Sequence, residues 1–156
     1  MKITYQDLQR IICRHGKFLS GEEDGEKANL KCVDLYGIDL AGVNLKGAIL
    51  EGASLRRAVL WDANLAEANL EGANFKHAIL EGANLNGACL KGACLKGVNL
   101  NHADLRGANL ADADLENADL AGATHNGKTV WPANFDPRAA GAIYITDQAI
   151  TNQENF

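Results

Sequence analysis

Aromatic residues make up only 6% of this 156-residue chain, beside two prolines and a single methionine. So thin a supply of rings argues against an irregular core assembled around large side chains, and favours one small motif used many times. Long apolar runs are missing as well: no stretch approaches the roughly 18 residues that a membrane-spanning helix needs. The opening MKITYQDLQRIICRHG puts Asp7, Gln9 and Arg10 where a secretory leader needs its apolar segment, so the expected address is cytoplasmic. Nor is there an excess of positive charge. The formal net charge is −5, which argues against a nucleic-acid or anionic-membrane partner, because both require clustered Lys and Arg. Paired cysteine spacings are absent too. Cys13, Cys32, Cys89 and Cys94 form no C-x-x-C, so reduced structural thiols are expected rather than disulfides or metal ligands.

What the chain has is hydrophobic residues, at 47% with Leu and Ala dominant, and enough charge, at 22%, for a single folded domain. They follow one rule. Written in fives from Ala28, the sequence reads ANLKC, VDLYG, IDLAG, VNLKG, AILEG, ASLRR, AVLWD and onward to ADLAG, which ends at Gly122, with nothing inserted or deleted. Over nineteen units the third slot is Leu except at Phe75, and the first is always Ala, Val or Ile. A strict period of five is neither the 3.6 of a helix nor the 2 of a flat strand, so the chain must turn every five residues. Four short extended segments and four corners close a coil of about 20 residues, and coils stack at the strand spacing of about 4.8 Å.

Slot chemistry supports that reading. The third-slot Leu fills a column, and the first-slot residue points inward near a corner where little room remains. The second slot, most often Asn or Asp, faces out with its side chain able to bond the turn backbone. The fifth slot is Gly in eleven units, matching the positive φ of a type II corner. Units ending in Arg57, Asp62, Glu67, His77, His102 or Asp112 are expected to use a different corner.

This pattern resembles the pentapeptide-repeat family over Ala28 to Gly122. The resemblance implies an all-β solenoid, a right-handed quadrilateral parallel β-helix; nineteen units make about five coils of it, and an N-terminal α-helical cap and a C-terminal capping segment are expected at its ends. Residues 129–144 look, more loosely, like the tail that follows the repeats in many cyanobacterial members. The family's known roles include DNA-mimicking topoisomerase inhibitors and developmental regulators, so membership implies a presented surface rather than a reaction.

The expected division is 1–27 as helical cap, 28–124 as β-helix and 125–156 as C-terminal cap and tail. Ends need cover, because an open coil exposes unpaired backbone and bare Leu. Thr4 can cap a helix with Asp7 three residues on, Tyr5, Leu8, Ile11 and Ile12 share one face, and Gly16 is expected to end it. At the other end the rule stops at His125, which stands where a Leu belongs, and Asp136-Pro137 can start a short helix.

Positions 20 apart stack, so the outer surface can be mapped. Arg56, Lys76 and Lys96 fall in one column, with Arg57 and His77 beside them, as a candidate basic stripe facing an acidic partner, or else an ordinary solvated face balanced by Glu51, Glu71 and Glu81. Val59 and Ile79 replace the usual outward Asn or Asp in adjacent coils with Trp61 on the same face, forming a candidate interaction patch, unless a terminal segment folds over it. Asp104, Asp112, Asp114, Glu116 and Asp119 gather near the last coils.

No catalytic, cofactor or metal site is expected. His15, His77, His102 and His125 fall on the helical cap, two different columns and the C-terminal break, so no nucleophile meets a base and no ligand set assembles. Three readings follow: a non-enzymatic scaffold contacting a protein partner or a second copy of itself, an acidic nucleic-acid mimic acting on a topoisomerase, and a purely structural spacer. No small-molecule substrate is expected.

Overall fold

The computed structural model describes residues 1–147, so the part of the expected tail after Asp147 lies outside the described residues. Within them the five-residue rule becomes a parallel β-helix. Every bridge from Asn29↔Ile49 to Asp104↔Thr124 is parallel and joins second-slot residues 20 positions apart. Each face is therefore a ladder, with Val59 N–H donating down to the Ile38 carbonyl (2.9 Å) and Leu60 N–H donating up to the Ile79 carbonyl (2.7 Å). Third-slot side chains from Leu30 to Leu120, Phe75 included, fill the interior, with first-slot Ala and Val between them and the corners.

Corners are uniform. At each one the first-slot amide bonds the third-slot carbonyl three residues back, as from Ala63 to Leu60 at 3.1 Å. The fifth-slot residue has positive φ whether it is Gly or not: Arg57 (57°), Asp62 (54°), Glu67 (59°), His77 (59°), His102 (58°) and Asp112 (58°) sit in the left-handed region like Gly42 (66°). The expected second corner type is not found among the described residues. The reason is hydrogen bonding: the fifth-slot amide donates upward from Arg57 to Lys76 (3.0 Å) and from Asp62 to Glu81 (2.9 Å), and likewise at Glu67, His77 and His102, while at Asp112 the corner is held by the Ala113 amide on the Leu110 carbonyl (3.0 Å). Those bonds outweigh the roughly 1–2 kcal/mol that a left-handed L-residue costs.

Thirteen second-slot Asn and Asp residues, from Asn29 to Asp119, accept from the amide two residues on, closing each corner with an Asx turn as the slot chemistry implies.

Before the repeats, Lys2 bridges Asp34 beneath the first coil, and helix α1 (Tyr5–Ser20) follows. Thr4 caps it by accepting from the Asp7 amide, as expected. The helix does not end at Gly16 but at Gly21, whose φ is 75°. Gly21 N–H and Glu22 N–H take the Phe18 and Lys17 carbonyls, and this C-cap outweighs the roughly 1 kcal/mol cost of Gly16 inside a helix. Gly25 then passes so close to the Phe18 backbone that any side chain there would collide with it. Leu8, Ile11 and Ile12 pack on the core, whereas Tyr5 faces solvent and His15, one turn past Ile11, takes the buried place instead.

At the far end the motif stops but the coil continues. Thr124–His125 (β1) pairs in parallel with Ile143–Tyr144 (β2), Thr124 opposite Ile143, and Asn109 bridges Val130. His125 is thus no terminator. It fills the inward slot against Trp131 and Tyr144, with ring centroids 5.4 Å away in both cases. Asp136-Pro137 opens a single turn rather than a helix, held by Asp136 Oδ1 accepting from the Arg138 and Ala139 amides.

Candidate functional site

Val59 and Ile79 form consecutive rungs of one face, with Asp39 below and Asn99 above. In this position both side chains forgo the Asx turn of their neighbours, so the Trp61 and Glu81 amides make no hydrogen bond among the described residues. Trp61 follows at the corner, 51% exposed, and Ile79 is 39% exposed. Together with Asp62 and Glu81 they line a shallow groove of about 280 Å³. Glu81 accepts from Asn99 Nδ2 at 3.3 Å, and neither carboxylate has a cation partner among the described residues.

The corner on the other side of the same face carries the basic stripe. Arg56 lies over the Tyr36 ring, its guanidinium carbon 5.6 Å from the centroid, a cation–π arrangement that fixes its direction. Lys96, the top of the stripe, is already neutralised: it pairs with Glu116 at 2.8 Å and Asp114 at 3.3 Å. Hydrogen bonding to Glu116 and Asp114 raises the Lys96 ammonium pKa above the usual lysine range. Arg56, Arg57 and Lys76 have no ion-pair partner among the described residues, and the imidazole of His77 lies against Gly97. The stripe therefore shortens to its lower part. It also adjoins the apolar patch: in two successive coils the order across the face is Arg56-Arg57, Val59, Trp61-Asp62 and then Lys76-His77, Ile79, Glu81.

The late acidic residues are less free than their number implies. Asp114 and Glu116 hold Lys96, and Asp104 is gripped by Arg106 through Nε (2.9 Å) and Nη2 (2.7 Å). Burial opposes ionisation of Asp104, yet the hydrogen bonds from Arg106 prevail and hold its carboxyl below the usual range.

His15, on the inner side of α1, is fully buried, its Nδ1 accepting from the Ala28 amide at 3.0 Å. Burial lowers the pKa values of both His15 and His125. Among the described residues no group of three or more His, Cys, Asp or Glu is placed to hold a metal, and all four cysteines are free. A groove of about 560 Å³ between α1 and the first coil is not legible in the repeat, because the five-residue register carries no information on how α1 lies across it. Its charges are largely satisfied internally, Arg10 by Asp7 (3.4 Å) and Arg14 by Glu26 (2.9 Å).

Comparison with known proteins settles the lineage. The family described as Pentapeptide repeats matches residues 26–62, 53–92 and 93–124, in 8 copies. The chain belongs to the pentapeptide-repeat family. Similar solved structures include the pentapeptide-repeat protein Rfr23 from the cyanobacterium Cyanothece 51142, at 36% identity and TM-score 0.54 over 68% of this chain. The chain spans 65% of the Rfr23 length. AT2G44920, a pentapeptide-repeat protein of the Arabidopsis thaliana thylakoid lumen, is 31% identical at TM-score 0.52, over 66% of this chain and 73% of its own. Alr5209 from Nostoc Pcc 7120 is 28% identical at TM-score 0.43, over 85% and 93%. No curated protein matches the sequence. Pentapeptide-repeat relatives identify the coil as a right-handed β-helix.

Proposed function

We propose that this pentapeptide-repeat protein is a non-enzymatic scaffold whose working surface is the face carrying Val59, Ile79 and Trp61 together with the Arg56, Arg57, Lys76 and His77 corner. The observation that carries the reading is the paired departure from the motif. Val59 and Ile79, in stacked coils, each give up a corner hydrogen bond and present apolar surface beside a half-exposed Trp61. A lone outward aliphatic needs no explanation, but stacked aliphatics next to an exposed Trp are the composition of a contact centre. In this reading residues 1–27 and 125–147 close the two ends of a column of about five coils over residues 28–124. No helix is long and apolar enough to cross a membrane, and the proposed setting is the cytoplasm.

A pull-down comparing wild type with Trp61→Ala tests the surface. Capture that depends on Trp61 supports the reading, and capture indifferent to Trp61 moves the contact elsewhere. A column acting only as a spacer predicts that neither Trp61→Ala nor reversal of the basic corner matters. The topoisomerase-directed mimic is the weaker alternative, since Asp104, Asp114 and Glu116 are occupied by Arg106 and Lys96. A gyrase supercoiling assay without inhibition removes it.

A further inference from the structure

The interaction face carries its charges in an order that selects its partner. Going across it in chain direction, unpaired cations come first (Arg56, Arg57, Lys76), the apolar strip of Val59 and Ile79 lies in the middle, and Trp61 with the unpaired carboxylates Asp62 and Glu81 comes last. The two edges cannot satisfy each other within the chain, because the width of the face separates them. Any surface that fits must present carboxylates, an apolar centre and cations in the reverse order.

This chain is such a surface. Two copies placed face to face can be related by a two-fold axis running along the column or across it. An axis across the column sets Arg56 and Arg57 against the same residues of the other copy, and like charges repel. An axis along the column carries the cationic edge of one copy onto the carboxylate edge of the other, on both sides at once, and brings each Trp61 toward the other copy's Arg56 and Arg57. We infer that this face is a self-association surface, pairing two parallel columns side by side about a two-fold axis along their length. This deepens the reading above by naming the partner as a second copy.

The size of the face sets the strength. Five residue steps across and about four coils in height give roughly 16 by 20 Å, or about 300 Å² per copy, well short of the roughly 800 Å² per partner of stable complexes. The pairing is therefore weak and concentration-dependent, with Val59 and Ile79 at its centre, Trp61 as its largest apolar contact and charge order setting its geometry.

Sedimentation equilibrium of the full chain over a wide concentration range tests this, at ionic strengths of about 0.05 M and about 0.5 M. A reversible monomer–dimer equilibrium that weakens with salt, and that Trp61→Ala weakens about tenfold or more, is expected. Charge reversal separates the geometries. Arg56→Glu with Arg57→Glu should be monomeric, Asp62→Lys with Glu81→Lys should be monomeric, and an equimolar mixture of the two variants should dimerise. All variants should melt like wild type, since every altered side chain is outside the column. A monomer at all concentrations overturns the self-pairing, as does a dimer indifferent to both reversals or a mixture that stays monomeric. If the pure chain is monomeric while a different protein is captured through Trp61, the self-pairing fails and the scaffold reading stands; if neither occurs, both fail.

Discussion

The imidazole of His77 lies under Gly97, twenty residues further along, so closely that a Cβ on Gly97 would sit 2.5 Å from Nδ1. His102 has the same relation to Gly122, and Asp62 leans on Gly82. Fifth-slot glycines thus do two jobs, supplying positive φ and leaving room for the side chain below. Gly97→Ala should lower stability by about 2 kcal/mol, combining left-handed strain with displacement of the ring. In a His77→Gly background the same substitution should cost only the strain, about 1 kcal/mol. Urea unfolding of the four variants in a double-mutant cycle reads the difference as coupling.

Val59→Asn should stabilise the fold while impairing association. Asn at this slot closes the Asx turn its neighbours have, as Asn64 does to the Ala66 amide at 3.0 Å, for a gain of about 0.5–1.5 kcal/mol. Melting temperature should rise and the dimer should weaken in sedimentation. A fall in both would show that Val59 is there for packing.

His15 makes the helical end sensitive to acid. Its Nδ1 accepts the Ala28 amide, Nε2 is buried near the Lys46 backbone, and Lys27 is the nearby cation. Burial first, and Lys27 in addition, hold its folded pKa below the ordinary 6.5, so the unfolded chain binds the proton more readily. Where the unfolded state binds more protons, stability rises with pH. Stability should therefore be full above about pH 6.5 and fall as pH drops through the lowered folded value. His125, whose pKa burial also lowers, acts in the same direction at the other end. Hydrogen exchange at pH 5 against pH 7.5 should show faster opening around Ala28, and His15→Gln should flatten the dependence there.

Leu85→Asp should unfold the column, because Leu85 is fully buried midway along it and no partner exists for a carboxylate there. A loss above 4 kcal/mol, or no folded protein at all by circular dichroism, is expected. An unchanged melting temperature would contradict the inward assignment.

Removing residues 83–87 should be worse than removing residues 68–87. The longer deletion takes out 20 residues and preserves the register in which Ile49 and Cys89 share a column with Asn69. The shorter one rotates every later column by a quarter turn and misaligns Thr124 with the face it continues. Thermal melts of the two variants decide it.

The column, its inward Leu and Ala and its outward Asn were legible because they follow from one period and from the size and polarity of each slot. The corners at Arg57 and His77 are not legible from residue identity, because hydrogen bonds to the next coil set φ there. Gly16 looked like a helix end because the stronger signal, Gly21 folding back on the Lys17 and Phe18 carbonyls, depends on a loop closing over the helix. His125 looked like a terminator because sequence shows a broken motif but not a backbone still pairing with Ile143–Tyr144. The junction of the basic stripe with the apolar patch is legible in the sequence, since Arg57 and Val59 are two residues apart.

The ladder joining each residue to the one 20 positions on has an evolutionary consequence. Interior and exterior occupy fixed, separate slots, and the backbone of a corner such as that at Arg57 keeps its form without glycine. Outward side chains can then be exchanged one address at a time, on a grid with known spacing, while the fold stays the same. A lineage built this way can acquire a new binding partner by rewriting a few neighbouring addresses on one wall, leaving the other three untouched.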